Sequence, residues 1–112
     1  MKILNKKVIQ KRKQESHTKD EKNILASMNS KFIVKLHFSF QTNQNLYLIV
    51  DFCQGGELFY HLRRSKVFSQ EKSKLYIAEI LLALEHLHQN NVIYRDLKPE
   101  NVLLDINGHI KL

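Results

Sequence analysis

The 112-residue sequence contains one cysteine, Cys53, one proline, Pro99, and no Pro/Gly-rich stretch. A lone thiol excludes an internal disulfide and agrees with a reducing compartment, so an intracellular, cytoplasmic setting is expected. No linker composition, low-complexity segment or internal repeat divides the chain, and its length suits one domain with a modest core. The longest apolar run, IAEILLALEHL, is interrupted by Glu79 and Glu85. That excludes a membrane-spanning segment. The N-terminus is basic from residue 2 and lacks an apolar h-region, so no signal peptide is expected.

What is present is ordinary for a globular protein: 43% hydrophobic and 26% charged residues, which argues against disorder. The net charge of +7 is uneven, because residues 1–22 carry eight Lys/Arg against three Asp/Glu. Such a segment would suit nucleic acid or an anionic membrane. No aromatic residues interleave the basic run, as a single-strand-binding surface would need. A solvated helix face is the favoured reading, and no nucleic-acid partner is expected.

MKIL has the look of a strand end, and residues 5–15 are polar. Ser16 or Thr18 is placed to cap a helix continuing through Met28, with Ile24, Leu25 and Met28 on its buried face. FIVKLHFSF alternates, which predicts a strand with Phe32, Val34, Leu36, Phe38 and Phe40 on one side. Thr42 to Asn45 turns into a second strand, Leu46 to Phe52, as an antiparallel hairpin. Gly55-Gly56 breaks that strand before a short helix, Glu57 to Arg64. Ser69 caps the longest helix, Gln70 to Gln89, on which Ile77, Ile80, Leu81, Leu84 and Leu87 follow helical spacing. Leu75, Leu82 and Ala83 add apolar surface on other sides. VLLDINGHIKL reads as a hairpin turning at Asn107-Gly108.

Between the long helix and that hairpin lies YRDLKPEN, Tyr94 to Asn101. A packed core gains nothing from Arg95, Asp96, Lys98, Glu100 and Asn101 set so close together. In an extended loop alternate side chains point the same way, so Asp96 and Lys98 can reach a common point. A carboxylate beside an ammonium stays ionised at neutral pH. It can orient a hydroxyl and accept its proton while Lys98 neutralises a transferred phosphoryl group. Pro99 stiffens the loop before Asn101, whose amide oxygen is a hard ligand suited to magnesium. These are parts that phosphoryl transfer requires. His86 and His88, two apart on a helix, do not face one zinc site.

YRDLKPEN followed by VLLD resembles the catalytic loop of eukaryotic protein kinases, in the Tyr-for-His form of the AGC group, the group of cAMP-dependent kinase. Lysine at 98 is the serine/threonine-kinase form. The resemblance implies Asp96 as catalytic base, Lys98 on the γ-phosphate and Asn101 on Mg2+. It also implies Lys2 on the α- and β-phosphates of ATP, with Glu21 as its helix partner. LYLIVDFCQGGELF looks like the hinge, with Val50 as gatekeeper, Asp51 to Cys53 offering backbone groups to adenine, Glu57 at the ribose and Leu103 as the floor. His17 and Arg95 match positions that touch a phosphorylated activation loop, which implies an upstream activating kinase. Glu57 and Glu100 match carboxylates that recognise arginines upstream of the target hydroxyl, implying protein substrates with basic residues near the Ser/Thr.

The implied fold is α+β: part of a kinase N-lobe over 1–50, a hinge over 51–57, and the start of a helical C-lobe over 58–112. The resemblance covers the whole chain, yet the chain covers well under half of a kinase domain. The glycine-rich loop belongs before Lys2 and the DFG motif after Leu112. Two readings stay open. One is an ATP-dependent serine/threonine kinase whose 112 residues alone are inactive; the other is a non-catalytic, kinase-like interaction module.

Overall fold

Leu46 to Val50 is the most apolar run in the first half of the chain, and it becomes the middle strand of a three-stranded antiparallel sheet. The structure is a computed structural model and describes residues 1–11 and 13–112. It divides into two units, one of residues 1–29 and 34–52, the other of residues 30–33 and 53–112. The architecture is α+β.

In the first unit β1 (Lys2–Asn5), β2 (Leu36–Gln41) and β3 (Asn45–Val50) are ordered β1-β3-β2. Lys2 lies opposite Leu48 and Leu36 opposite Val50. Leu48, fully buried, and Met28 form this unit's core. Asn5 ends β1 and caps α1 (Lys6–Lys11), its Oδ1 accepting from the Lys7 and Val8 amides at 3.0 and 3.3 Å.

Two sequence expectations fail here. Helix α2 (Glu15–Ser27) has Gln14 at its cap position, so it starts before either Ser16 or Thr18 could cap it. The Thr18 hydroxyl instead donates to the Gln14 carbonyl one turn back, at 2.9 Å, a bond open to a threonine inside a helix. The long Phe32–Phe40 strand shrinks to β2, and its register slips between Leu36 and Phe38. That irregularity leaves His37 unpaired with β3, which breaks the period-two pattern. Asp51 holds the irregularity from across the sheet: it accepts from the Lys35 amide at 3.1 Å and pairs with His37 Nε2 at 2.8 Å. Phe38 and Phe40 are exposed, Phe40 stacking on Tyr47 at 4.7 Å.

The second unit holds α3 (Leu58–Ser65), α4 (Gln70–Gln89) and a small antiparallel sheet, β4 (Gly56–Glu57), β5 (Leu103–Leu104) and β6 (Ile110–Lys111), in that order. Ser69 caps α4 as expected, its Oγ accepting from the Lys72 amide at 3.2 Å. The buried face of α4 is not the expected stripe. Tyr76, Glu79, Ala83 and Leu87 face inward, whereas Leu75, Ile77, Leu81 and Leu82 are exposed and Ile80 and Leu84 half-buried. A helix apolar on several sides has no dominant phase of its own. Here Tyr76, edge-on to Phe68 at 5.5 Å, and Glu79, which meets the last hairpin, set the phase.

That hairpin turns through Ile106, Asn107 and Gly108. The Asp105 amide donates to the His109 carbonyl at 2.8 Å, and Gly108 takes φ 85°, the left-handed value that glycine adopts without cost. Leu58, Val102, Leu104, Ile110 and Leu112 complete the core with Ile33. The Leu112 amide donates to the Phe32 carbonyl at 2.9 Å, which holds residues 30–33 in this unit. Among the described residues, no helix is long and apolar enough to cross a membrane.

Candidate active site

Helix α4 ends in a closure that sets the direction of the loop after it. Asn91 adopts a left-handed φ of 60°, the Asn91 amide donates to the His88 carbonyl, and the Val92 amide donates to the Leu87 carbonyl at 2.9 Å. These are the two bonds of a Schellman motif, with asparagine where glycine is commonest. Val92 and Ile93 lead to Tyr94.

Arg95 then takes φ 62° while the Asp96 amide donates to the Tyr94 carbonyl at 2.9 Å. A three-residue turn with positive φ on a long side chain is strained, and strain of this kind concentrates at functional sites. The turn sets Asp96 facing the residues that follow. Pro99 opens a single 3₁₀ turn, Pro99–Asn101, closed by the Asn101 amide donating to the Lys98 carbonyl at 2.9 Å. The turn folds Asn101 back on Asp96.

The result is a tight cluster. Lys98 Nζ lies 3.0 Å from Asp96 Oδ1. Asn101 Nδ2 donates to Asp96 Oδ2 at 2.7 Å and to the Asp96 backbone oxygen at 2.9 Å. The Lys98 and Asn101 hydrogen bonds hold the Asp96 carboxyl below its ordinary range, so it is ionised at neutral pH. Two lone-pair sites on that carboxylate are used, and about two remain for a hydroxyl. Asn101 gives its donor side to Asp96. Its Oδ1, a hard oxygen, has no hydrogen-bond donor among the described residues and suits a magnesium ion. The Tyr94 hydroxyl donates to the Asn101 carbonyl at 3.4 Å, and burial, with Asp96 nearby, raises its pKa.

Of the other residues singled out in this unit, Glu57 and Leu103 lie directly opposite each other on β4 and β5. The Leu58 amide donates to the Val102 carbonyl, tying α3 to the strand that follows Asn101. Cys53 is half-buried, and its carbonyl accepts from the Gly56 amide. Glu100 and Arg95 are exposed. No group of His, Cys, Asp and Glu able to hold a metal ion occurs among the described residues, His86 and His88 included.

In the first unit Lys2 Nζ donates to Glu21 Oε1 at 2.7 Å, with both side chains about half exposed. The strand β1 and the helix α2 thus bring together two residues nineteen apart. Val50 ends β3, and the Asp51 amide donates to the Lys35 carbonyl at 3.0 Å. His17 is exposed one turn before Glu21. A groove of about 790 Å³, which the sequence did not suggest, is lined by Lys6, Lys19, Lys22, Phe40 and Leu46 among others.

Glu79, which in the sequence only breaks an apolar run, is buried. Its signal was positional: it lies three residues after Tyr76 and four before Ala83, on one stripe with both.

The family described as protein kinase domain matches residues 1–112. The serine/threonine-protein kinase SCH9 of Candida albicans is 58% identical over the whole chain, which spans 15% of that protein's length. SCH9 of Saccharomyces cerevisiae is likewise 58% identical over the whole chain, which spans 14% of it. Serine/threonine-protein kinase Sgk1-A of Xenopus laevis is 52% identical over the whole chain, which spans 26% of it.

Proposed function

The chain belongs to the protein kinase family, and on that premise we propose that it carries the catalytic loop of an ATP-dependent serine/threonine kinase acting on proteins in basic sequence context. The observation that supports this best is the Asp96–Lys98–Asn101 cluster, in which one loop holds a base, a cation and a hard oxygen together. The reading as a non-catalytic interaction module is not favoured, since the relatives are named as serine/threonine-protein kinases.

In this reading the Asp96 carboxylate accepts a hydrogen bond from the substrate Ser/Thr hydroxyl and aims its oxygen at the γ-phosphorus of ATP. A new O–P bond forms, the bond to the β-phosphate oxygen breaks, and the hydroxyl proton passes to Asp96. Lys98 offsets charge on the moving phosphoryl group. Asn101 Oδ1 would help to hold Mg2+, which supplies charge neutralisation for the phosphates. Lys2, oriented by Glu21, would contact the α- and β-phosphates. Val50, the Asp51–Cys53 backbone and Leu103 would each contribute a contact to adenine, and Glu57 one to the ribose.

Glu57 and Glu100, both exposed, would pair with arginines upstream of the target hydroxyl, where bidentate carboxylate contacts suit guanidinium. His17 and Arg95, also exposed, would receive a phosphate placed by an upstream kinase.

The test is phosphate incorporation from labelled ATP into a serine peptide with upstream arginines, using the full-length protein. Asp96→Asn is expected to lower kcat by about 10²–10⁴-fold. Glu57→Gln is expected to relax the arginine preference. Wild-type-like turnover in Asp96→Asn would sink the assignment.

A further inference from the structure

Among the described residues Glu79 is the buried charged side chain, only 5% exposed in the middle of α4. A carboxylate in that position is costly unless both oxygens are hydrogen-bonded. Both are. Oε1 receives a 2.6 Å hydrogen bond from His109 Nδ1, and Oε2 receives one from the Ile110 amide at 2.9 Å.

The Ile110 amide is a particular target. The Asp105 amide donates to the His109 carbonyl at 2.8 Å, while the His109 amide turns to Asp105 Oδ1 at 2.9 Å, so the two strands are already bonded to each other at this position. Leu104 and Ile110, next in register, are then a non-hydrogen-bonded pair, and the Ile110 N–H points away from β5. β6 is the sheet's edge strand and Ile110 is fully buried, so that N–H has neither a strand nor water to satisfy it. Glu79 stands where the next strand would be.

What Glu79 holds is joined to the cluster. β6 pairs with β5, and β5 begins two residues after Asn101. β5 also anchors β4 at Glu57↔Leu103, and the Leu58 amide bonds the Val102 carbonyl. One buried carboxylate on α4 therefore fixes the far end of a strip whose near end carries Asn101.

We propose that Glu79 is a positioning residue for phosphoryl transfer, pinning the His109–Ile110 strand to α4 and through it the placement of Leu103 and Asn101. The role in transfer rests on the kinase reading above; the pinning does not. Residues that act through a catalytic group's support commonly change activity by about 10–100-fold.

The experiment compares full-length wild type, Glu79→Leu, Glu79→Gln and His109→Ala by hydrogen–deuterium exchange and by peptide phosphorylation. In Glu79→Leu, residues 98–102 and 107–112 are both expected to exchange about tenfold faster, and kcat to fall about tenfold with an unchanged peptide KM. Glu79→Gln, which keeps an oxygen for the Ile110 amide, is expected to restore both. Faster exchange at 107–112 with 98–102 unchanged, or a Glu79→Gln as impaired as Glu79→Leu, would overturn the proposal. Should Glu79→Leu fail to fold, His109→Ala removes one contact only, and unchanged exchange at 98–102 there overturns it equally. Variants that exchange as described beside a wild type that phosphorylates nothing defeat the kinase reading and leave the pinning established.

Discussion

Asn101 Nδ2 bonds both the backbone oxygen and carboxylate Oδ2 of Asp96, at 2.9 and 2.7 Å. That amide thereby restrains the Asp96 side chain, joins Lys98 in favouring its ionised form, and turns its own oxygen away from it. Lys98 on Oδ1 completes the restraint.

The first prediction concerns acid. Lys98 and Asn101 lower the Asp96 pKa below its ordinary 3.8. A depressed carboxylate contributes stability that is fully present above 3.8 and disappears as pH falls through the lowered value. The gap in denaturant midpoint between wild type and Asp96→Asn should therefore be constant in neutral buffer and close only below pH 3.8. A gap that closes near neutrality would mean the carboxylate is not held as described.

Lys2 and Glu21 make the opposite kind of test, separating positioning from stability. Exposed ion pairs contribute about 0–1 kcal/mol, and both partners here are about half exposed. Lys2→Met should leave the melting temperature within about 4 °C of wild type. It should raise KM for ATP by about 10–100-fold, the range for losing a charged hydrogen bond. A large melting shift with unchanged KM would reverse that assignment.

His109 titrates in the other direction. Glu79, through its hydrogen bond first and its charge second, raises the His109 pKa above 6.5. A raised histidine contributes stability that is complete below 6.5 and is lost as pH climbs through the raised value. The stability difference between wild type and His109→Gln should be largest in mildly acidic buffer and shrink in alkaline buffer. Measuring both midpoints across that range checks the sign.

Gly55 is predicted to be intolerant of any side chain. A Cβ there would meet the Leu104 Cβ at 2.6 Å and the Leu104 and Asp105 carbonyl oxygens at 2.9 Å. Backbone oxygens cannot swing aside, and the Gly55 amide is itself bonded to Leu104. Gly55→Ala should cost about 1–3 kcal/mol, the range for overpacking, seen as a lower midpoint in urea. Gly56, with nothing within 4 Å of its Cβ position, faces no such clash; its φ of 70° alone disfavours alanine.

Local signals carried the parts of the fold that depend on neighbours in sequence. Ser69 announced α4, Asn107-Gly108 announced the last turn, and YRDLKPEN announced the cluster, because each is complete within a few residues. The errors came where distant groups decide. Asp51 holds the irregularity that cuts short the Phe32–Phe40 strand from fourteen to sixteen residues away. Glu79 earns its buried place on α4 from an amide thirty-one residues on. The pairing of α4's apolar sides was illegible for the same reason: several phases are equally apolar, and only the packed hairpin chooses among them.

The bond from the Leu112 amide to the Phe32 carbonyl spans most of the sequence. During synthesis residues 1–29 and 34–52 are all available once position 52 has emerged, and the β1–β3 and β2–β3 pairings are within reach by then. Residues 30–33 must wait some sixty further residues, several seconds at ordinary translation rates, before the strand that fixes them exists. Assembly on the ribosome is thus ordered in time: the residues around Lys2 emerge early, and the unit bearing Asp96 gains its Leu112–Phe32 bond only once residue 112 has emerged.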